Sequence, residues 1–203
     1  MSLLFPISGE PVNLLPHSGQ ALFFHGFFPT AQSDQYFNSL QQEINWKQEP
    51  IRIFGKEIMQ PRLTASFADE GISYGYSGIV LQSSLWTNTL LEIKKRVEEM
   101  ADEKFNTALL NYYRNGQDSM GWHRDNEKEL GINPVIASVS FGSERIFQFR
   151  EYNGSTKPLS FVLGHGDLLI MRGQSQHHWQ HRIPKSASAK EPRINITFRK
   201  IKI

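Results

Sequence analysis

His123 and Asp125 stand two positions apart in GWHRDNE, and His181 follows later in WQHRIP. In an extended segment, side chains two apart point the same way, so His123 and Asp125 can reach one ion. One carboxylate and two imidazoles, with coordination positions left open, is the ligand set of a non-haem Fe(II) oxygenase. The third ligand must come from elsewhere in the chain; His181 is the candidate, with His177 and His178 as alternatives. The chain closes with RINITFR, where alternation places Arg193, Asn195, Thr197 and Arg199 on one face and Ile194, Ile196 and Phe198 on the other. Two arginines turned into a barrel would be unpaired buried charges unless an anion met them. A dicarboxylic co-substrate beside the metal would be that anion. If the face lay in solvent instead, Arg and Thr there would be ordinary surface residues. Asn111 and Tyr113, also two apart, can add hydrogen bonds from a neighbouring strand.

The elements that must position these residues are readable from hydrophobic period. Phe37, Leu40 and Ile44 recur at helical spacing between Gln32 and Trp46, with Ser33 and Asp34 as candidate caps. A clearer helix spans Thr87–Glu103, with Leu90, Ile93, Val97 and Met100 on one face and Glu92, Lys95, Arg96 and Glu99 on the other. Ile51 to Phe54 reads as a strand running into a turn at Gly55. After the second helix the period becomes two, over Leu109–Arg114, Val135–Phe141, Arg145–Glu151, Leu159–Leu163, Asp167–Met171 and Arg193–Ile203. Residues 1–25 carry several Gly and Pro and no period of either kind, which predicts an irregular arm. The expected fold is α+β and mainly β: a double-stranded β-helix (jelly roll) with the N-terminal helices buttressing one sheet. One domain is expected over residues 1–203, with an arm over 1–30 and a jelly-roll core over 106–203.

Composition narrows the class without choosing the substrate. With 203 residues, 39% hydrophobic and 21% charged, the chain suits one globular domain. A net charge of +2 argues neither for nor against nucleic acid, so any such binding would rest on local basic groups. Arg52, Lys56, Arg62, Arg124, Arg172, Arg182 and Lys185 are available for phosphates. There is no cysteine, hence no disulfide framework and no thiolate metal site. No apolar run approaches the roughly 20 residues of a membrane span, and MSLLFPISGEP does not read as a signal peptide. A cytoplasmic protein is expected, or a nuclear one in a eukaryote, acting as a monomer without a membrane.

The stretches NYYRNGQDSMGWHRDNE, PVIASVSFGSERIFQFR, HGDLLIMRG, WQHRIPK and RINITFRK, in that order, resemble the AlkB family of Fe(II)/2-oxoglutarate dioxygenases, in particular its nucleic-acid dealkylation branch. The resemblance runs from about Ile53 to the C-terminus. It implies iron held by His123, Asp125 and His181, with 2-oxoglutarate and O₂ as co-substrates. Arg193 would take the distal carboxylate with Tyr113 alongside, and Asn111, Asn195 and Arg199 would complete the pocket. MQPRLTASFADEGISYGYSG is similar to the family's substrate-recognition hairpins, expected here over residues 50–80. Tyr76 would stack on a flipped base opposite His123, Tyr74 and Ser77 would line the entrance, and Arg62 and Glu127 would contact the substrate. Asn126 departs from the acidic residue of the family pattern at that place. RIFGK resembles an apolar finger, which would place Phe54 as a wedge in duplex DNA. The implied reaction is oxidative demethylation of 1-methyladenine or 3-methylcytosine in alkylated DNA, releasing formaldehyde. The alternatives are an oxygenase acting on RNA, protein or a small molecule, and a catalytically silent nucleic-acid binding module.

Overall fold

A helical period followed by an alternating one becomes, in the computed structural model, two helices laid against a β-rich body. The structure describes residues 10–53, 56–72, 74–76, 79–81, 83–154 and 157–202, with backbone alone for 51–53, 56, 74–76 and 79–81. Strands β1 (Val12–Asn13) and β2 (Gln20–Phe24) precede helix α1 (Thr30–Glu43). Strands β3 (Pro50–Ile53), β4 (Lys56–Met59), β5 (Leu63–Ala68), β6 (Tyr74–Tyr76) and β7 (Ile79–Leu81) lead to helix α2 (Asn88–Ala101). Then come β8 (Thr107–Tyr113), β9 (Met120–His123), β10 (Ile136–Gly142), β11 (Arg145–Glu151), β12 (Leu159–Leu163) and β13 (Leu168–Arg172). A short helix α3 (Ser175–His178), β14 (Trp179–Ile183) and β15 (Arg193–Arg199) complete the order.

Seven strands form a major sheet in the order β1-β2-β13-β10-β15-β8-β5, and four form a minor sheet, β12-β11-β14-β9. Each pairing in both is antiparallel. The two sheets enclose one core, with Tyr113, Met120, Ile136, Phe147, Phe149, Leu169 and Trp179 among its buried members. The other face of the major sheet carries Ala108, Leu110, Val139, Ile170, Ile194, Ile196 and Phe198, and the helices cover it with Tyr36, Leu40, Leu90, Ile93 and Val97. Each such aliphatic side chain, fully buried, contributes about 1.5–3 kcal/mol, which is why two amphipathic helices hold to the sheet. This is a jelly roll with its helices on one sheet. No described helix is long and apolar enough to cross a membrane.

Several details depart from the sequence reading. The N-terminal arm is not irregular throughout: β2 pairs with β13 from Leu168↔Phe24 to Arg172↔Gln20, so residues 20–24 belong to the major sheet. Their short run beside Gly19 is too brief to show a period. Helix α1 begins after Pro29, whose φ of −56° suits a helix start, and no side chain caps it. Ser33 sits inside the helix and donates to the Phe28 carbonyl at 3.1 Å. In α2 the expected Met100 is 43% exposed and Ala101 takes its place in the core; Thr87 caps the helix by accepting from Leu90 N–H at 3.2 Å. Strands β9 and β14 were not visible as alternation because each is short and carries Gly or His, and β5 was not because polar Thr64 and Ser66 take its buried positions.

Candidate active site

Cross-strand register assembles the site. In the major sheet Tyr113 pairs with Arg193, Asn111 with Asn195, and Thr107 with Arg199. In the minor sheet His123 pairs with His181. The inward faces of the two ladders look at each other across one cleft, lined by Asn111, Tyr113, His123, Asp125, His181, Arg193, Asn195 and Arg199. Arg193 and Arg199 are each 1% exposed, so the solvent-facing alternative for RINITFR does not hold.

One ligand atom from each of His123, Asp125 and His181 falls within 4.8 Å of the others, which is close enough for a single ion. His177 and His178 do not join them; they line a separate surface depression with His17 and Tyr152. The donor set fits a cation. Asp125 Oδ1 accepts from Arg199 Nη2 at 2.7 Å and Nε at 3.2 Å. Asp125 Oδ2 is buried with no hydrogen-bond donor among the described residues, 3.6 Å from His181 Nε2. A buried carboxylate oxygen left bare is costly unless a cation meets it. Burial works to raise the Asp125 pKa, but Arg199 first and the two histidines next hold it at about 2. His181 is pushed down to about 3 by burial and by His123, against the pull of Asp125. His123 is lowered by burial against the same carboxylate. Both imidazoles are therefore neutral at neutral pH, with lone pairs for a metal. His123 Nδ1 lies 2.9 Å from the Gly121 carbonyl, and donation there leaves Nε2 as the ligand atom.

The co-substrate end is built for an anion. Arg193 Nη2 donates to Ser140 Oγ at 2.8 Å, while Nε and Nη1 are buried without a partner among the described residues. Burial lowers the Arg193 pKa to about 10. Its guanidinium lies 5.3 Å from the Tyr113 ring centroid. Asn111 Oδ1 accepts from Arg62 Nε at 2.6 Å, which leaves the amide NH₂ as the end for the pocket. Asn195 is otherwise engaged: its amide donates to Ser138 Oγ and the Val139 carbonyl, and its oxygen accepts from Thr197. Asn195 therefore stiffens the strand rather than offering a free donor.

The reading of Arg62 changes. Arg62, expected at the substrate, is 4% exposed, bonded to Asn111 and, at 3.4 Å, to the Ser119 carbonyl. It braces the co-substrate pocket and is not held out for a phosphate. Arg199, expected around the keto acid, lines the same cleft and also places its guanidinium on Asp125. Glu127 is half-buried two residues beyond Asp125. Tyr74 and Tyr76 lie on strand β6, with side chains outside the described residues, as are Phe54 and Ser77 altogether.

Sequence reasoning missed three residues. Gln176, 1% exposed, accepts from Asp125 N–H at 2.9 Å and fixes the ligand's backbone. Phe147 stacks on His181 at 5.4 Å and 16°. Arg145, 2% exposed, lies over Tyr113 at 5.4 Å and donates to the carbonyls of Asn115, Asp118 and Pro184. Arg145 opens β11, with two residues between it and the end of the SVSFG strand, and an arginine at the start of an alternating apolar run was the available signal.

Residues 20–199 match the family model of the 2OG-Fe(II) oxygenase superfamily. The chain is 40% identical over 185 residues to the alpha-ketoglutarate-dependent dioxygenase alkB homolog 3 of Bos taurus, covering 87% of this chain and 64% of the relative. It is 36% identical over 184 residues to the human DNA oxidative demethylase ALKBH2, covering 86% of this chain and 70% of that one. The chain thus spans about two thirds of the length of these curated relatives. A solved structure of OsALKBH1 superposes with a TM-score of 0.64 at 17% identity, over 89% of this chain and 96% of that chain, a likeness of fold. The chain belongs to the 2OG-Fe(II) oxygenase superfamily and, within it, to the AlkB family. It is an Fe(II)- and 2-oxoglutarate-dependent dioxygenase that takes O₂, and the His123–Asp125–His181 cluster is its metal site.

Proposed function

We propose that this protein removes N-linked methyl groups from alkylated bases in DNA, 1-methyladenine and 3-methylcytosine among them. The observation that carries the chemistry is Asp125 Oδ2, bare among the described residues between two neutral histidines, facing the same cleft as the Arg193 nitrogens that have no partner among those residues. The choice of substrate draws support from the likeness to a DNA oxidative demethylase. Iron, 2-oxoglutarate and O₂ together supply an oxidant that converts the N-methyl group to hydroxymethyl, with succinate and CO₂ as the other products; the adduct then releases formaldehyde.

The chain's own part is placement and exclusion of water. Arg193 meets the distal carboxylate with the two nitrogens it has to spare, and Asn111 donates from the strand beside it. Arg62 holds Asn111 in the donating orientation. Arg199 holds one oxygen of Asp125, so that the other is the one presented to the metal. Phe147 keeps the His181 ring in plane. A methylated base carries positive charge and pairs poorly, so removing it from a stack costs less than removing an intact base.

The test is to incubate the protein with Fe(II), 2-oxoglutarate and ascorbate on single- and double-stranded DNA carrying either lesion, with matched methylated RNA. Methyl loss is followed by mass spectrometry alongside succinate. Methyl loss from DNA that needs both Fe(II) and 2-oxoglutarate is expected. Succinate without methyl loss from any DNA overturns the DNA reading; loss from RNA alone moves the substrate to RNA.

A further inference from the structure

Trp122, which directly precedes His123, points away from the cleft onto the outer face of the minor sheet. Its ring is flanked there by two guanidiniums, Arg150 and Arg182, each 4.4 Å from the ring centroid. Strand alternation accounts for this. Phe149 and His181 turn inward and are buried, so Arg150 and Arg182 must turn outward. Each guanidinium is also tied through Nε: Arg150 donates to Gln180 Oε1 at 2.8 Å and Arg182 to Gln148 Oε1 at 2.7 Å. Gln148 in turn donates to Ser160 Oγ at 2.9 Å, which extends the polar row to strand β12.

The charge on this face is unbalanced. Among the described residues neither Arg150 nor Arg182 forms an ion pair. The residues that hold them, Gln148, Gln180 and Trp122, are all uncharged. The two cations are thus fixed in orientation by an aromatic ring and two amides, with their Nη ends left for an anion. At the edge of the same face Arg124, on the other side of His123, lies 3.6 Å from the ring centroid of Tyr152, which is 46% exposed. A basic and aromatic track therefore runs from the residues flanking the metal ligand onto the outer sheet.

We infer that the outer face of the minor sheet, centred on the Arg150–Trp122–Arg182 stack, binds the phosphodiester backbone of the nucleic-acid strand beyond the target base. The inference rests on the nucleic-acid reading of the substrate. Arginine on aromatic planes suits phosphate, because the stacked guanidinium keeps its outward N–H groups free for bidentate contact. Such contacts carry no sequence preference and are salt-dependent.

The experiment uses the full chain and a fluorescein-labelled, unmethylated 15-nucleotide single strand, as DNA and as RNA, with binding followed by anisotropy from low to moderate salt. Arg150→Gln and Arg182→Gln are compared with Lys95→Gln, an exposed lysine on α2, and with Arg150→Lys and Arg182→Lys. Each lost phosphate contact lowers the slope of log K against log salt by about 0.7 for a single strand. The expected result is a slope reduced by that amount in each Gln variant, additively in the double variant, unchanged in Lys95→Gln and largely restored by Lys. Quenching of Trp122 emission on binding, lost in Trp122→Phe, is the second readout. Equal slopes in wild type and both Gln variants, with methyl removal intact, overturn the surface and leave the enzyme standing. A fall of the same size in Lys95→Gln overturns it too, since net charge would then explain the effect. Absence of methyl removal from any nucleic acid is a failure of the underlying reading instead, and is seen in the separate turnover assay.

Discussion

Arg199 takes one oxygen of Asp125, at 2.7 Å, and leaves the other bare toward His181. The guanidinium therefore decides which carboxylate oxygen the metal receives, and it also keeps that carboxylate ionised. Replacing it with Met removes a repulsion between two cations, which favours the metal. It also frees the carboxylate to rotate and to hold a proton in its buried setting, which disfavours the metal. Supporting contacts of this kind typically are worth 10–100-fold in metal affinity, so the second effect is expected to win. Arg199→Met should weaken Mn(II) binding by about that factor in anaerobic calorimetry, with Arg199→Lys intermediate because it lacks the two-nitrogen fork. Unchanged affinity in a folded Arg199→Met protein would remove Arg199 from this role.

Asp125 can be taken away in two ways that differ in stability. Asp125→Ala leaves Arg199 buried without its carboxylate, and breaking a buried pair by removing one partner costs about 3–5 kcal/mol. For a chain of this size that corresponds to a fall in Tm on the order of 10 °C. Asp125→Asn keeps an oxygen for Arg199 and should lose much less. Both should abolish iron-dependent succinate formation, and added Fe(II) should not restore it. Recovery of turnover with excess Fe(II) would show that Asp125 is not a ligand.

These pairings also mark what the sequence could and could not disclose. That Arg193 and Arg199 share a face was legible from strict alternation with Ile194, Ile196 and Phe198, but that this face is buried was not, because β15 is covered on both sides, the apolar set by the helices and the arginines by the facing sheet. That Arg199 would reach Asp125 was not legible, since the two lie 74 positions apart and meet only once the sheets have closed. The same holds for Arg62, which the family resemblance places near a hairpin but which only the β5–β8 pairing brings to Asn111. Gln176 was hidden for a different reason: a buried amide on a four-residue helix has no periodic signature. Residues in regular strands were thus readable, while those whose role is a single long-range hydrogen bond were not.

Glu98 anchors the C-terminal end of α2. It accepts from Phe105 N–H at 2.9 Å and from Lys104 at 2.9 Å, and pairs with Lys94 at 2.8 Å, while only 7% exposed. Burial works to raise its pKa, but these donors together lower it below the ordinary 4.5. A folded-state pKa below the unfolded one means that the contribution is fully present above about pH 4.5 and is lost as pH falls through the lower, folded value. Glu98→Gln should therefore destabilise the protein at pH 7 by about 1–3 kcal/mol in urea unfolding. The loss relative to wild type should shrink steadily below pH 4.5. A difference that stays constant down to pH 3 would show that packing, not charge, is what Glu98 supplies.

Arg193 yields the prediction that separates binding from stability. Its cation is 1% exposed, with Nε and Nη1 unpartnered among the described residues, and burial lowers its pKa from the usual guanidinium range to about 10. A lowered pKa on a group that is still charged at pH 7 means that folding works against it, here on the order of a few kcal/mol. The residue is thus a burden on the free protein, relieved when a carboxylate arrives. Arg193→Met replaces the cation by an apolar side chain of similar length, a change that is often neutral or stabilising at buried ionic sites. The variant should keep or raise the Tm of the free protein, while glutarate and 2-oxoglutarate no longer raise it further. The KM for 2-oxoglutarate should rise by tenfold or more, the loss of a hydrogen-bonded charge contact of about 1.5–3 kcal/mol. Scanning calorimetry with and without glutarate checks both halves, because glutarate carries the distal carboxylate but cannot react. If the free variant is strongly destabilised, Arg193 is a structural cation; if glutarate still stabilises it, the distal carboxylate binds elsewhere.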